Sequence, residues 1–289
     1  MDGTLLLDKP ASLTSREADN RIKKILDERT VGHLGTLDPF ATGLLVIGLG
    51  EGTKLLRFME GLEKTYEATI LLGSKTDTGE LTGHVTETRM VPALSIEQIN
   101  QALHSLQGKS LQKPPVFSAK SVNGIRSYDA ARRGIALALK PQPIEVFAIE
   151  LLSFAPERAE ISFRARVSRG TYIRTLGENL AERLGTVGHL TALRRTLVGP
   201  YTIERAVTLT DLSAADVIPL DQSLPFVADV VLNEAQAEFA RHGNALFLAD
   251  SREPLILVFS PQREPLGIYG KLADGSYRCL RGFALKPLG

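Results

Sequence analysis

Gly32-His33-Leu34-Gly35-Thr36-Leu37-Asp38-Pro39-Phe40-Ala41-Thr42-Gly43-Leu44-Leu45 holds a single acid, Asp38, inside a frame of turn-forming residues. Gly32, Gly35 and Gly43 permit backbone conformations that other residues avoid, while Pro39 fixes its own φ and biases Asp38 away from helix. A carboxylate is thereby aimed by a loop. The apolar run Leu44-Leu45-Val46-Ile47 reads as a buried strand, so the loop is anchored in the kind of rigid scaffold that carries functional loops. Taken alone, the same stretch also fits an Asx-type turn in which Asp38 only caps backbone donors.

Upstream, Leu5-Leu6-Leu7 reads as a strand, and Thr14-x-x-Glu17 is a capping box opening a helix with Ala18, Ile22, Ile25 and Leu26 on one face. Downstream, Tyr66, Ala68, Ile70 and Leu72 alternate with more polar neighbours, which predicts a strand beginning near Tyr66 and puts that ring at a strand edge. Ser95 and Gln98 form a second capping box, for a helix carrying Ile96, Ile99, Leu103 and Leu106 and stopped at Gly108. Residues 109–140 read as a projecting basic excursion, with turns at Pro114-Pro115 and Asn123-Gly124. Ile144 to Phe154 and Ala159 to Ser168 predict a hairpin turned at Pro156-Glu157, with Ile161, Phe163, Ala165 and Val167 facing inward and Arg164 and Arg166 outward. Ile173, Leu176, Leu180 and Leu184 then recur at helical spacing up to Gly185, which sets Tyr172 and Arg174 at a strand-to-helix junction. Periodicity lapses between Asp221 and Pro225. Beyond it, a short helix at Glu234 to Arg241 and strands at Leu255–Phe259, Leu266–Tyr269 and Tyr277–Leu285 predict a small β-rich module.

At 289 residues and 43% apolar content, the chain can bury a substantial core, in one large domain plus a small one. The start shows neither a basic leader nor a long apolar segment, and no run approaches the roughly 18 residues that span a bilayer, so a cytoplasmic location without membrane contact is expected. The single cysteine, Cys279, excludes an internal disulfide and a cysteine-based zinc site, and the five scattered histidines form no H-x-x-x-H pair, so no metal site is expected. Net charge is +1, yet it is unevenly spread. Residues 109–140 carry Lys109, Lys113, Lys120, Arg126, Arg132, Arg133 and Lys140 against Asp129, while residues 164–195 carry seven arginines against Glu178 and Glu182. Such local cation density fits a bound polyanion, because phosphate contacts gain affinity by releasing counterions; a solvated charge run would read the same way in either segment alone.

Beyond the Asp38 loop, which resembles the motif G-H-T-G-T-L-D-P-x-A-T-G with Leu34 as a departure, several stretches resemble the TruB-type pseudouridine synthases in order and spacing. Asp8-Lys9-Pro10 with Thr14-Ser15 resembles the opening D-K-P-x-G-x-T-S, with Ser12 in place of glycine. Gly50-Glu51-Gly52-Thr53-Lys54 resembles G-E-A-T-K, Lys64-Thr65-Tyr66 resembles K-x-Y, Pro114 to Ala119 resembles P-P-x-x-S-A, and Ser168 to Arg174 resembles S-x-G-T-Y-I-R. The likeness runs from about residue 4 to about residue 210.

This resemblance implies an α+β fold: a mixed, largely antiparallel sheet flanked by helices over residues 1–225, with a small β-rich PUA-like domain at 226–289. It implies conversion of the T-loop uridine at tRNA position 55 to pseudouridine. That reaction breaks the N1–C1′ bond, rotates the uracil and rejoins it through C5, so atoms are conserved and no cofactor is demanded. By resemblance Asp38 is the catalytic carboxylate, able to attack the sugar or C6 of the base or to serve a glycal intermediate, and the choice stays open. Arg174 is its implied cationic partner, Tyr66 the stacking platform for a flipped base, and Tyr172 and Leu193 line the same pocket. His33 and Lys54 are implied near the RNA, whereas Lys9-Pro10 is mainly architectural. Lys113, Lys120, Arg126 and Arg132 are expected to engage a tRNA T-arm stem-loop, with no obligate protein partner. Two other readings stay open: a guide-RNA-dependent pseudouridine synthase subunit, against which the basic stretch Lys120 to Arg132 argues, and a non-catalytic tRNA-binding or tRNA-folding protein.

Overall fold

In the computed structural model, which describes residues 1–115, 121–122, 125–126, 140–248 and 251–283, the chain opens with β1 (Gly3–Lys9), whose three leucines are buried. The Thr14 hydroxyl then accepts from the Glu17 amide while the Glu17 carboxylate accepts from the Thr14 amide, and this reciprocal cap, worth about 1 kcal/mol, starts α1 (Ser15–Ile25). Ala18 and Ile22 face the core as their spacing predicts. Ile25, however, is 45% exposed at the last residue of the helix, although Ile22 before it is buried and Leu26 after it packs on the core.

After β2 (Val31–Leu34), the Asp38 loop delivers the chain into β3 (Thr42–Leu49). A short 3-10 turn at Gly50–Lys54 and α2 (Leu56–Met59) lead to β4 (Lys64–Leu72), in which Lys64, Tyr66, Ala68, Ile70 and Leu72 all point inward. Tyr66 is thus the third residue of a strand with partners on both sides, not an edge residue. The small ribbon β5 (Ser74–Thr76) and β6 (Val85–Thr88) follows, then the second capping box and α3 (Ile96–His104), on which Ile96 is exposed and Ile99 and Leu103 are buried. Gly108 opens β7 (Gly108–Gln112) rather than merely stopping the helix.

Beyond β8 (Ser121–Val122) and β9 (Ile125–Arg126), the hairpin is formed by β10 (Gln142–Ala155) and β11 (Glu160–Val167), with Arg164 and Arg166 outward as predicted. Next come α4 (Ile173–Arg183), the long β12 (Gly188–Val198), which the sequence pattern had not revealed, and the short β13 (Tyr201–Thr202) and β14 (Ile218–Pro219). The main sheet runs β14-β1-β3-β12-β4-β11-β10-β7, with β2 beside β3 and β13 beside β12. All its pairings are antiparallel except β3 with β12, where Thr42 faces Arg194 and Gly43 faces Arg195. Gly43 is required there: its φ is +101°, and a Cβ would overlap the Arg195 carbonyl.

Helices α1, α3 and α4 cover one face, burying Ile22, Leu103 and Leu180 against Ile47, Ile70 and Phe163. The opposite face of the β1 and β3 end packs against the C-terminal sheet, through Leu6, Leu44 and Val46 on one side and Leu257, Phe259 and Ile268 on the other. That sheet comprises β15 (Ala228–Val231), β16 (Leu255–Phe259), β17 (Pro265–Lys271) and β18 (Tyr277–Gly282), backed by α5 (Glu234–Arg241). Among the described residues no helix is long and apolar enough to cross a membrane.

Candidate active site

Three separate elements meet at the loop that the glycines shape. Asp38 stands after Gly35, which adopts φ +64°, and before the parallel β3–β12 pairing. Arg174 lies one residue inside α4, past its N-cap Tyr172, and reaches across the gap. Its Nε lies 2.9 Å from Asp38 Oδ2 and its Nη2 donates to Oδ1 at 3.3 Å, a two-point contact that suits the planar fork. Its Nη1 donates to the Thr78 carbonyl at 2.7 Å, so the loop after β5 fixes the guanidinium from behind. Arg174 is deeply buried while the Asp38 side chain keeps 38% of its surface open.

A cavity of about 240 Å³ opens over this pair. Tyr66, Tyr172, Leu193 and Lys64 wall it together with Arg195 and the Gly35–Asp38 loop. It adjoins a larger cleft of about 870 Å³ bounded by His33, Lys109, Glu145 and Arg169, with Gly35, Lys64 and Gly170 common to both. The structure thus brings Asp38, Tyr66, Tyr172, Arg174 and Leu193 around one space and sets His33 in the neighbouring cleft. Lys54 lines neither; its ammonium sits 2.5 Å from Glu51 Oε2. Lys113 is exposed just past β7. Lys120 and Arg132 lie outside the described residues, as does the Arg126 side chain.

Burial raises the Asp38 pKa above its ordinary value, Arg174 opposes that rise, and the Glu80 carboxylate adds to it. Two lysines are pushed the other way. Lys9 is fully buried and donates to the carbonyls of Pro10 and Leu13, at 2.8 and 2.7 Å, and of Pro39 at 3.5 Å, tying the start of α1 to the residue after Asp38. Burial lowers its pKa to about 8, and burial with the nearby Arg195 and Arg169 charges does the same to Lys64. Between pH 8 and 10.5 the folded chain has released these protons while the unfolded chain still holds them, so stability should increase with pH across that window. Calorimetric melting temperatures of the parent should rise there, and the rise should be visibly flatter in Lys9→Met.

Arg195 is the residue that sequence reading missed. It is 1% exposed, pairs in register with Tyr66, stands 6.0 Å from that ring and donates from Nε to the Leu44 carbonyl at 2.7 Å. A buried arginine beside an aromatic platform had only one trace in the sequence, its place two residues after Leu193. The cation-rich segment 164–195 also reads differently once folded. Arg164 bonds Glu67 and Glu150, Arg166 bonds Glu63, and Arg194 bonds Asp8, so carboxylates on or just before other strands cancel much of the charge counted along the chain. Among the described residues no group of three or more His, Cys, Asp or Glu side chains is placed to hold a metal ion.

Against known proteins, residues 23–173 match the family model described as TruB family pseudouridylate synthase (N terminal domain), and residues 174–225 the one described as tRNA pseudouridylate synthase B C-terminal domain. The chain is 37% identical over 281 residues to the tRNA pseudouridine synthase B of Aquifex aeolicus (strain VF5), covering 95% of this chain and 97% of that protein. Its identity to the tRNA pseudouridine synthase B of Bordetella avium (strain 197N) is 44% over 239 residues, 82% of this chain and 94% of that one. Among solved structures, one titled as an H/ACA RNP bound to a substrate RNA containing 2′-deoxyuridine aligns with a TM-score of 0.73 at 21% identity, over 99% of this chain and 86% of that one, a likeness of fold.

Proposed function

The chain belongs to the TruB family of pseudouridylate synthases and is a tRNA pseudouridine synthase, and we propose that it isomerises the T-loop uridine at tRNA position 55 with Asp38 as the reacting carboxylate. The observation that carries this reading is the two-point contact of Asp38 with Arg174 at the base of a cavity walled by two tyrosines. In this reading the uridine flips out of its stack and enters the cavity against Tyr66 and Leu193. Flipping costs a few kcal/mol, of which stacking on one ring returns about 1–3. Arg174 opposes the rise that burial and Glu80 cause in the Asp38 pKa, and the ionised carboxylate it favours can either attack carbon or deprotonate a glycal intermediate. Breaking N1–C1′ and forming C5–C1′ conserves atoms: C5 loses one proton, N1 gains one, and no cofactor enters the balance. We assign residues 1–225 to the catalytic unit and 226–289 to a small C-terminal unit, acting in the cytoplasm without an obligate protein partner. Mapping pseudouridine in tRNA treated with the purified chain tests the assignment: modification elsewhere than the T-loop would overturn it, and none at all would favour the non-catalytic alternative.

Two variants at Tyr66 separate stacking from packing. Tyr66→Phe should retain the platform, while Tyr66→Leu should lower single-turnover activity roughly tenfold to a hundredfold, the worth of one stacked base. A comparable loss in Phe would assign the hydroxyl to proton transfer at C5. Because Tyr66 is 8% exposed, melting curves must accompany the rates. A Leu variant that melts earlier but turns over normally would make Tyr66 a packing residue.

The basic excursion is read as the arm that grips the T-arm stem. Neutralising Lys113, Lys120, Arg126 and Arg132 together should weaken stem-loop binding and reduce the log–log salt slope by about 0.7–0.9 for each phosphate that no longer meets a cation. An unchanged slope in a filter-binding titration would show that these side chains only solvate a surface.

A further inference from the structure

Helix α1 holds the Asp38 loop at two points one turn apart. The Ser15 hydroxyl accepts from the Leu37 amide at 2.9 Å and donates to the Leu37 carbonyl at 3.1 Å. One turn further along α1, Asp19 Oδ2 lies 2.8 Å from His33 Nδ1, and His33 Nε2 lies 3.3 Å from Thr36 Oγ1. A carboxylate can only accept, so Nδ1–H donates to Asp19, and in the neutral ring the Nε2 lone pair accepts a hydrogen bond from the Thr36 hydroxyl. We propose that Asp19 is a positioning residue for the isomerisation: it fixes the His33 tautomer, and through the His33–Thr36 bond it holds the loop on which Asp38 stands.

Asp19 itself argues for a role beyond packing. It is 6% exposed on the inward side of α1, whose other buried neighbours include Ala18 and Ile22, and its second oxygen, Oδ1, is buried without a hydrogen-bond partner. An orphaned buried carboxylate oxygen destabilises a fold, and an apolar side chain would pack there at lower cost. What the acid provides and an apolar residue cannot is the bond that sets the proton on His33. Thr36 lines the same cavity as Asp38, two residues away, so a ring that turned or changed tautomer would release the cavity wall next to the reacting carboxylate.

The proposal rests on the reading of Asp38 as the reacting group, and its test separates the two. Nitrogen-15 NMR of the neutral His33 ring should show a protonated Nδ1 in the parent. In Asp19→Leu the ring should revert to the Nε2–H form that free histidine favours. Single-turnover pseudouridine formation at saturating T-arm RNA should then fall roughly tenfold, the worth of one charge-assisted hydrogen bond, with RNA affinity and melting temperature preserved. Asp19→Asn, whose carbonyl can still accept from Nδ1–H, should keep the tautomer and most of the rate, and Asp19→Ala should repeat the leucine result should the larger side chain not fit. An Nε2–H ring in the parent, a tautomer change without loss of rate, or a loss confined to RNA affinity would each overturn the proposal. Full activity in an Asp38 variant would instead sink the reading of Asp38, because the tautomer is read without turnover.

Discussion

Asp38→Asn is expected to leave binding of a T-arm stem-loop intact while lowering pseudouridine formation on the order of ten-thousandfold, the scale on which removing a reacting side chain acts. The amide nearly preserves shape and can still accept one bond from the Arg174 fork, but it carries no charge and cannot serve as the nucleophile or base. Because the buried Arg174 charge then faces a neutral amide, a modest fall in melting temperature should accompany the loss. Rates on folded protein, measured with equal occupancy of RNA, separate the two effects. Turnover near the parent rate would remove Asp38 from the chemistry altogether.

Arg174→Met is expected to cost roughly a hundredfold and, more diagnostically, to move the acid limb of the pH–rate profile upward. Burial and Glu80 both raise the Asp38 pKa, and Arg174 is the first cause opposing them. With the cation gone the carboxyl holds its proton to higher pH, so at any given acidic pH less of the enzyme is in the ionised form. The parent's own limb should already lie above the ordinary carboxylate range, because the shift in Asp38 is upward with Arg174 in place. Arg174→Lys keeps the charge but not the fork or the Thr78 carbonyl bond, and should lie between the two in rate with a smaller movement of the limb. Single-turnover rates across pH decide the matter, and a limb that does not move in Arg174→Met would belong to a different group.

Much of this site was legible in the sequence because its parts are local. A loop framed by Gly35 and Gly43, a capping box at Thr14, and an arginine at a strand-to-helix junction each advertise themselves within a few residues, and each folds as read. Helix ends were less legible: Ile25 and Ile96 fit the apolar spacing of their helices but are the last and first helical residues, and both are exposed. What depended on distant pairing was hidden. Strand β12 buries Arg195 among apolar residues and is interrupted by register shifts at Leu190/Ala192 and Arg195/Leu197, so its alternation gives no clean period. The charges of Arg164, Arg166 and Arg194 could be counted but not assigned, since Glu63, Glu67, Glu150 and Asp8 reach them only once β1, β12, β4, β11 and β10 are assembled in one sheet. Nothing in the residues around Asp19 marks it out, and only the approach of β2 brings an imidazole to it.

The single parallel pairing of the main sheet has a consequence for how the molecule comes into being. Thr42 meets Arg194, 152 residues further along the chain, so the support beneath the Asp38 loop does not exist until the ribosome has released that later strand. Contacts of such separation must be closed against loop entropy and form late. A nascent chain halted after β11 can hold β1, β3 and most of one hydrophobic face, yet it lacks the backbone that Gly43 rests on and the arginine beneath Tyr66. Competence for chemistry should therefore appear abruptly, as one of the last acts of folding, and a prematurely terminated chain should be unable to engage and trap a tRNA base.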